Sequence, residues 1–131
     1  MNTELFSKID EVIQNTPERH YQGTWESVNE CGTTRCIAGW AVHLTTGTPV
    51  YDRHGDPTRE SAQLASSLGV SDPWHISAVA QRLLDITPEQ AGKLFFATDE
   101  DARQIVHAVA TGGEPDWGQA GGESSADTEA E

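Results

Sequence analysis

A chain of 131 residues with 21 acidic and 8 basic side chains carries a formal net charge of −13. That length makes one domain with a modest core, and that charge opposes direct binding to nucleic acid, whose footprint is a basic patch, or to anionic membranes. No apolar run approaches the roughly 20 residues of a spanning helix, and the N-terminus lacks a signal-peptide layout, so no membrane partner is expected and a cytoplasmic protein with reduced thiols is.

The first predicted element is a helix from Thr3 to about Gln14, with Leu5, Ile9, Val12 and Ile13 on one face. Thr16-Pro17 ends it. His20 to Glu30 reads as a loop or short turn from which Trp25 plugs the core. In the next segment, CGTTRCIAGWA (Cys31 to Ala41), Thr33 or Thr34 is expected to cap a helix over Arg35 to Leu44, which Gly47 stops. Cys36, Trp40, His43 and Leu44 share one helical stripe, beside the small residues Ala38, Gly39 and Ala41. A glycine inside a helix costs about 1 kcal/mol against alanine, so Gly39 marks a close packing contact. Cys36, Gly39 and Trp40 are therefore the expected structural nucleus, on a buried central helix.

Pro49 to Thr58 reads as a loop or a tiny hairpin, and Arg59 to Leu68 as a helix with Gly69 at its end. Asp72-Pro73 is expected to open a helix through Leu84, with Ile76, Val79, Ala80 and Leu83 inward. Thr87-Pro88-Glu89-Gln90 is a capping box starting a helix to about Ala97 that buries Ala91, Leu94 and Phe95. Thr98 to Asp101 caps the last helix, whose Ile105, Val106 and Val109 face inward before Gly112. The sum is all-α: an irregular compact bundle of five or six short helices over residues 1–112. Residues 113–131 read as a flexible acidic tail with Gly and Ser, holding six of the 21 acidic groups and no basic one. Trp117 interrupts that tail, either as an anchor onto the body or a partner or as an exposed residue, and with Glu114 and Asp116 it forms the candidate partner-binding set.

The cysteine pair leaves several roles open. Cys36 can be a small buried hydrophobe with Cys31 in a loop; the two can form a disulfide; they can hold a metal; or Cys36 can be a thiolate in the first helical turn. Cys31 and Cys36 are weak candidate metal ligands, because no second pair exists and His43 stands seven residues, about 10.5 Å, along the helix from Cys36. His20 and His54 could approach only from loops. No metal and no cofactor are expected. No phosphatase-type Cys-x5-Arg loop is present, since Ile37 and Val42 occupy the two sixth positions. A phosphate-binding Gly-x4-Gly-Lys loop is also missing. The acidic loop from Asp52 lacks the twelfth-position glutamate of a calcium loop, having Gln63 there. Asp99-Glu100-Asp101 reads as dipole stabilisation at a helix start. Enzymatic activity is not expected.

The string CGTTRCIAGWA, with HYQGTW before it and RLLDITPEQAGKLFFA after it, resembles a group of small proteins from actinobacteria and their phages. Their pattern is Cys-Gly-Thr-x-x-Cys-(Ile/Val)-Ala-Gly-(Trp/His)-Ala, then Leu-Leu-x-(Leu/Ile)-Thr ahead of Leu-Phe. Here these are Cys31 to Ala41, Leu83 to Thr87, and Leu94-Phe95, and the resemblance spans about residues 16–112. Asp85 stands where a glycine is common, which bears on the turn there. The resemblance implies no activity, and no residue inherits a catalytic role from it. Two function classes follow. The first is a non-enzymatic, phage-encoded interaction protein that binds and modulates a host or phage protein, an unknown partner with a basic surface, through an acidic surface able to imitate nucleic acid. The alternative is a small thiol or zinc-binding protein using Cys31 and Cys36.

Overall fold

The computed structural model describes residues 1–29, 32–115 and 117; Cys31, Asp116 and the tail from residue 118 onward, on which several of the expectations above fall, lie outside the described residues. Among the described residues the fold is all-α: six short helices, one 3₁₀ turn and a two-stranded hairpin.

Helix α1 (Thr3–Asn15) starts at Asn2, whose Oδ1 accepts from the Leu5 N–H at 3.1 Å. It buries Leu5, Phe6, Ile9 and Ile13. The 3₁₀ turn Pro17–Arg19 follows, and then strands β1 (Ser27–Asn29) and β2 (Gly32–Thr34) pair antiparallel, with Ser27 opposite Thr34 and Asn29 opposite Gly32.

The central helix α2 (Ile37–Thr46) begins two residues later than expected. Thr33 and Thr34 lie in β2 instead of capping it. The reason is competition for amides. The Arg35 N–H donates to the Arg19 carbonyl at 2.9 Å and the Cys36 N–H to the Thr24 carbonyl at 3.0 Å, so both residues are held extended. Cys36 is the cap, its sulfur accepting from the Gly39 N–H at 3.4 Å. Every residue from Ile37 to Val42 is buried, the pattern of a helix enclosed on all sides. Helices α3 (Arg59–Ser67), α4 (Ile76–Leu84) and α5 (Pro88–Phe95) surround α2 together with α1, while α6 (Asp99–Ala110) lies along α1.

Most remaining termini follow local chemistry. Thr58 caps α3, Thr98 caps α6, and Thr87 with Gln90 closes the expected capping box on α5. Helix α4 starts at Ile76, not at Asp72-Pro73, because the Asp72 carboxylate takes the Trp74 N–H at 3.0 Å and its carbonyl the His75 N–H, forming a turn. Asp85 ends α4 in the left-handed region (φ 57, ψ 54), the conformation for which a glycine at this position suits. Beyond α6, Pro115 is buried and Trp117 packs half-buried against the core.

Candidate functional site

The segment His20 to Glu26 carries little regular structure, yet it is heavily tethered to the helices around it. Gln22 is its centre. The Gln22 Nε2 donates to the Leu94 carbonyl at 3.0 Å and the Phe95 carbonyl at 3.1 Å, two of the orphan acceptors at the end of α5. Its Oε1 accepts from the Ile37 N–H at 2.8 Å, an orphan donor at the start of α2. One amide side chain therefore caps two helices of opposite polarity. Its orientation follows from the partners, since a flipped amide would set donor against donor. The Gln22 backbone N–H donates to Asp99 Oδ1 at 2.7 Å, tying the loop to the first turn of α6.

His20 completes the clamp. It is 3% exposed, and its Nδ1 accepts from Arg103 Nε at 2.8 Å. The proton therefore resides on Nε2, which donates to Gln22 Oε1 at 3.0 Å. Burial holds the imidazole below its ordinary value, with the Arg103 guanidinium acting in the same direction; the Gln22 hydrogen bond and Asp99 oppose both. The same Arg103 reaches the Pro17 carbonyl at 3.1 Å.

At the other end of the loop, the Trp25 carbonyl lies on Gly39. A Cβ at Gly39 would stand 1.9 Å from that oxygen. The close contact expected at Gly39 is thus real, and its partner is loop backbone. Glu26, with its side chain 3% exposed, accepts from Arg35 Nε at 2.7 Å and from the Val50 and Tyr51 N–H groups at 2.8 and 3.0 Å. Arg35 in turn lies 4.9 Å over the Trp40 ring, whose Nε1 donates to the Arg19 carbonyl at 3.1 Å. A buried carboxylate is tolerable here because three donors face it, one of them the Arg35 cation.

The surface built on this clamp is aromatic. A groove of about 340 Å³ runs between the loop and the end of α5, lined by Gln22, Gly23, Thr24, Trp25, Phe95 and Phe96. Trp25 meets Phe96 edge to face, with ring centroids 6.4 Å apart. Phe96 is 70% exposed and Tyr21 53%. The Tyr21 ring covers Gly23, where an added Cβ would stand 2.5 Å from it. Geometry explains why one phenylalanine of the pair is outside. Ala91, Leu94 and Phe95 share the buried face of α5, and Phe96 follows about 100° further round. Asp99, Glu100 and Asp101 stand just beyond Phe96 at the start of α6.

Of the residues singled out from the sequence, Cys36, Gly39 and Trp40 are all buried on or at the start of α2. Burial pushes the Cys36 thiol up to about 11, outweighing the N–H groups of the first helical turn that pull it down. The thiolate reading of Cys36 therefore fails on desolvation. His43 is engaged with the Thr48 carbonyl at 2.8 Å and stacks edge-on against Trp40. The Asp52 carboxylate accepts from the His54 and Asp56 N–H groups, so it closes its own loop. Among the described residues no group of three or more His, Cys, Asp or Glu side chains is arranged to hold a metal ion. Glu114 is exposed, whereas Trp117 contacts the body. Gln22, Glu26 and Phe96, with Tyr21 and Arg103, are site residues that the sequence reading did not single out. The adjacent pair Phe95-Phe96 was the available signal, because one helix face cannot bury both.

No protein-family model, curated protein or solved structure matches this chain.

Proposed function

We propose that this chain is a non-enzymatic binding module that engages a partner protein of positive charge, with the Trp25–Phe96 groove as its anchor point. The observation that carries the reading is Phe96, a large apolar ring left 70% exposed beside a groove whose walls are fixed by the Gln22 clamp. Single exposed hydrophobic residues are ordinary on protein surfaces. Here Trp25 and Phe96 meet on tethered backbone, with the Tyr21 ring over neighbouring Gly23, the arrangement that suits an interface anchor with little ordering cost. The net charge of −13 steers such a module toward a basic surface. The resemblance noted above makes a host or phage protein the natural class of partner.

Selection of displayed random peptides on the immobilised full-length chain tests the reading. Enriched sequences should share an apolar residue and should lose retention on a Phe96→Ser chain. Enrichment indifferent to Phe96, or no enrichment over a blank surface, would contradict it.

A further inference from the structure

We infer that the occupant of the groove is an arginine-bearing apolar segment of the partner. An apolar side chain seats in the groove against the Trp25–Phe96 pair, and a neighbouring guanidinium lies over the exposed ring of Phe96 toward the carboxylates that open α6. This rests on the groove being the binding surface.

Three features on this face select that chemistry. The volume, about 340 Å³, is at the small end for ligand sites and suits one or two side chains better than a cofactor. The Phe96 ring is mostly in solvent, and its π-face attracts a cation; a planar guanidinium stacks there better than a compact ammonium. The charge beside the groove is negative. Asp99 is tied to Gln22, itself a lining residue, and exposed Glu100 and partly exposed Asp101 follow in the same helical turn. Of the cations on α5 and α6, Arg103 is engaged with His20 and the Pro17 carbonyl, leaving Lys93 as the competing charge one turn before Phe96. A second copy of this chain is a poor occupant, since it would bring −13 against −13.

The test uses three capped peptides and the full-length chain, followed by amide chemical shifts and titration at low salt. The first peptide is Gly-Arg-Leu-Arg-Gly, the second carries citrulline for both arginines, and the third glycine for leucine. The arginine peptide should move the resonances of Gln22 to Trp25 and Phe96, and should bind about five- to tenfold tighter than the citrulline peptide. The double variant Glu100→Gln, Asp101→Asn should erase most of that difference without changing citrulline binding. Equal binding of the arginine and citrulline peptides at the groove would overturn the inference and leave the groove reading standing. Shifts that avoid the groove, or no saturable binding by any peptide, would overturn both.

Discussion

Replacing Gly39 with alanine should destabilise the protein, although the same change inside an open helix stabilises by about 1 kcal/mol. The new Cβ would stand 1.9 Å from the Trp25 carbonyl oxygen, 3.1 Å from its carbon and 3.2 Å from the Arg35 Cβ. Ordinary contact begins near 3.4 Å, so the oxygen must retreat by about 1.5 Å. It belongs to backbone with tethers on both sides, the Cys36 N–H on the Thr24 carbonyl and the Glu26 carboxylate on Val50 and Tyr51. A retreat of that size strains or breaks one of these, at about 1 kcal/mol net per hydrogen bond, and overpacking adds about 1–3 kcal/mol. After the helix-propensity gain, the expected net loss is about 1–3 kcal/mol, a sizeable part of the 5–15 kcal/mol typical of a folded protein. Urea unfolding followed by far-ultraviolet circular dichroism measures it. A midpoint equal to or above that of the natural chain would refute the seating of Trp25 on α2.

Asp85→Gly should raise stability by about 0.5–1 kcal/mol by relieving a left-handed non-glycine residue, the exposed ion pair with the N-terminal amine at 3.6 Å subtracting little; a lower urea midpoint would contradict this. His20 is held below its ordinary 6.5, so its contribution is fully present above that pH and is lost as pH falls, the unfolded chain taking up the proton first. Between pH 8 and pH 5 the natural chain should therefore lose more stability than His20→Gln, and parallel losses would remove His20 from the account. In a Cys31→Ser chain, Cys36 should resist an aromatic disulfide reagent at pH 8 until urea unfolds the protein, because its thiol is buried and pushed up to about 11; prompt stoichiometric reaction of the folded chain would show it accessible.

What could be read from the residues was local. The capping box at Thr87, the Thr98 cap and the inward stripe Ile105, Val106, Val109 depend on neighbours three or four positions away, and they stand as expected. Gly39 was legible as a contact point because an interior helix glycine needs a reason. The contacting group was not legible, since the Trp25 carbonyl is backbone and leaves no side-chain pattern. The start of α2 was misplaced for a related reason. Thr33 and Thr34 are good caps by chemistry, but the Arg35 and Cys36 amides are taken by carbonyls of Arg19 and Thr24, far back in the chain. Gln22 and Glu26 are not legible because most of their partners are main-chain atoms, of Ile37, Leu94, Phe95, Val50 and Tyr51. Such bonds form only after the fold has brought those atoms together.

If this molecule binds its partner at the Trp25–Phe96 groove, as proposed, Phe96 separates binding from folding. Its ring is 70% exposed, so Phe96→Ser should leave the unfolding free energy from urea titration within about 0.5 kcal/mol of that of the natural chain. The direct measurement is the affinity of both chains for one selected peptide, by titration at physiological salt. Phe96→Ser should lose at least tenfold in affinity, about 1.4 kcal/mol or more, the scale of an interface anchor. An unchanged affinity on an equally stable chain would contradict it.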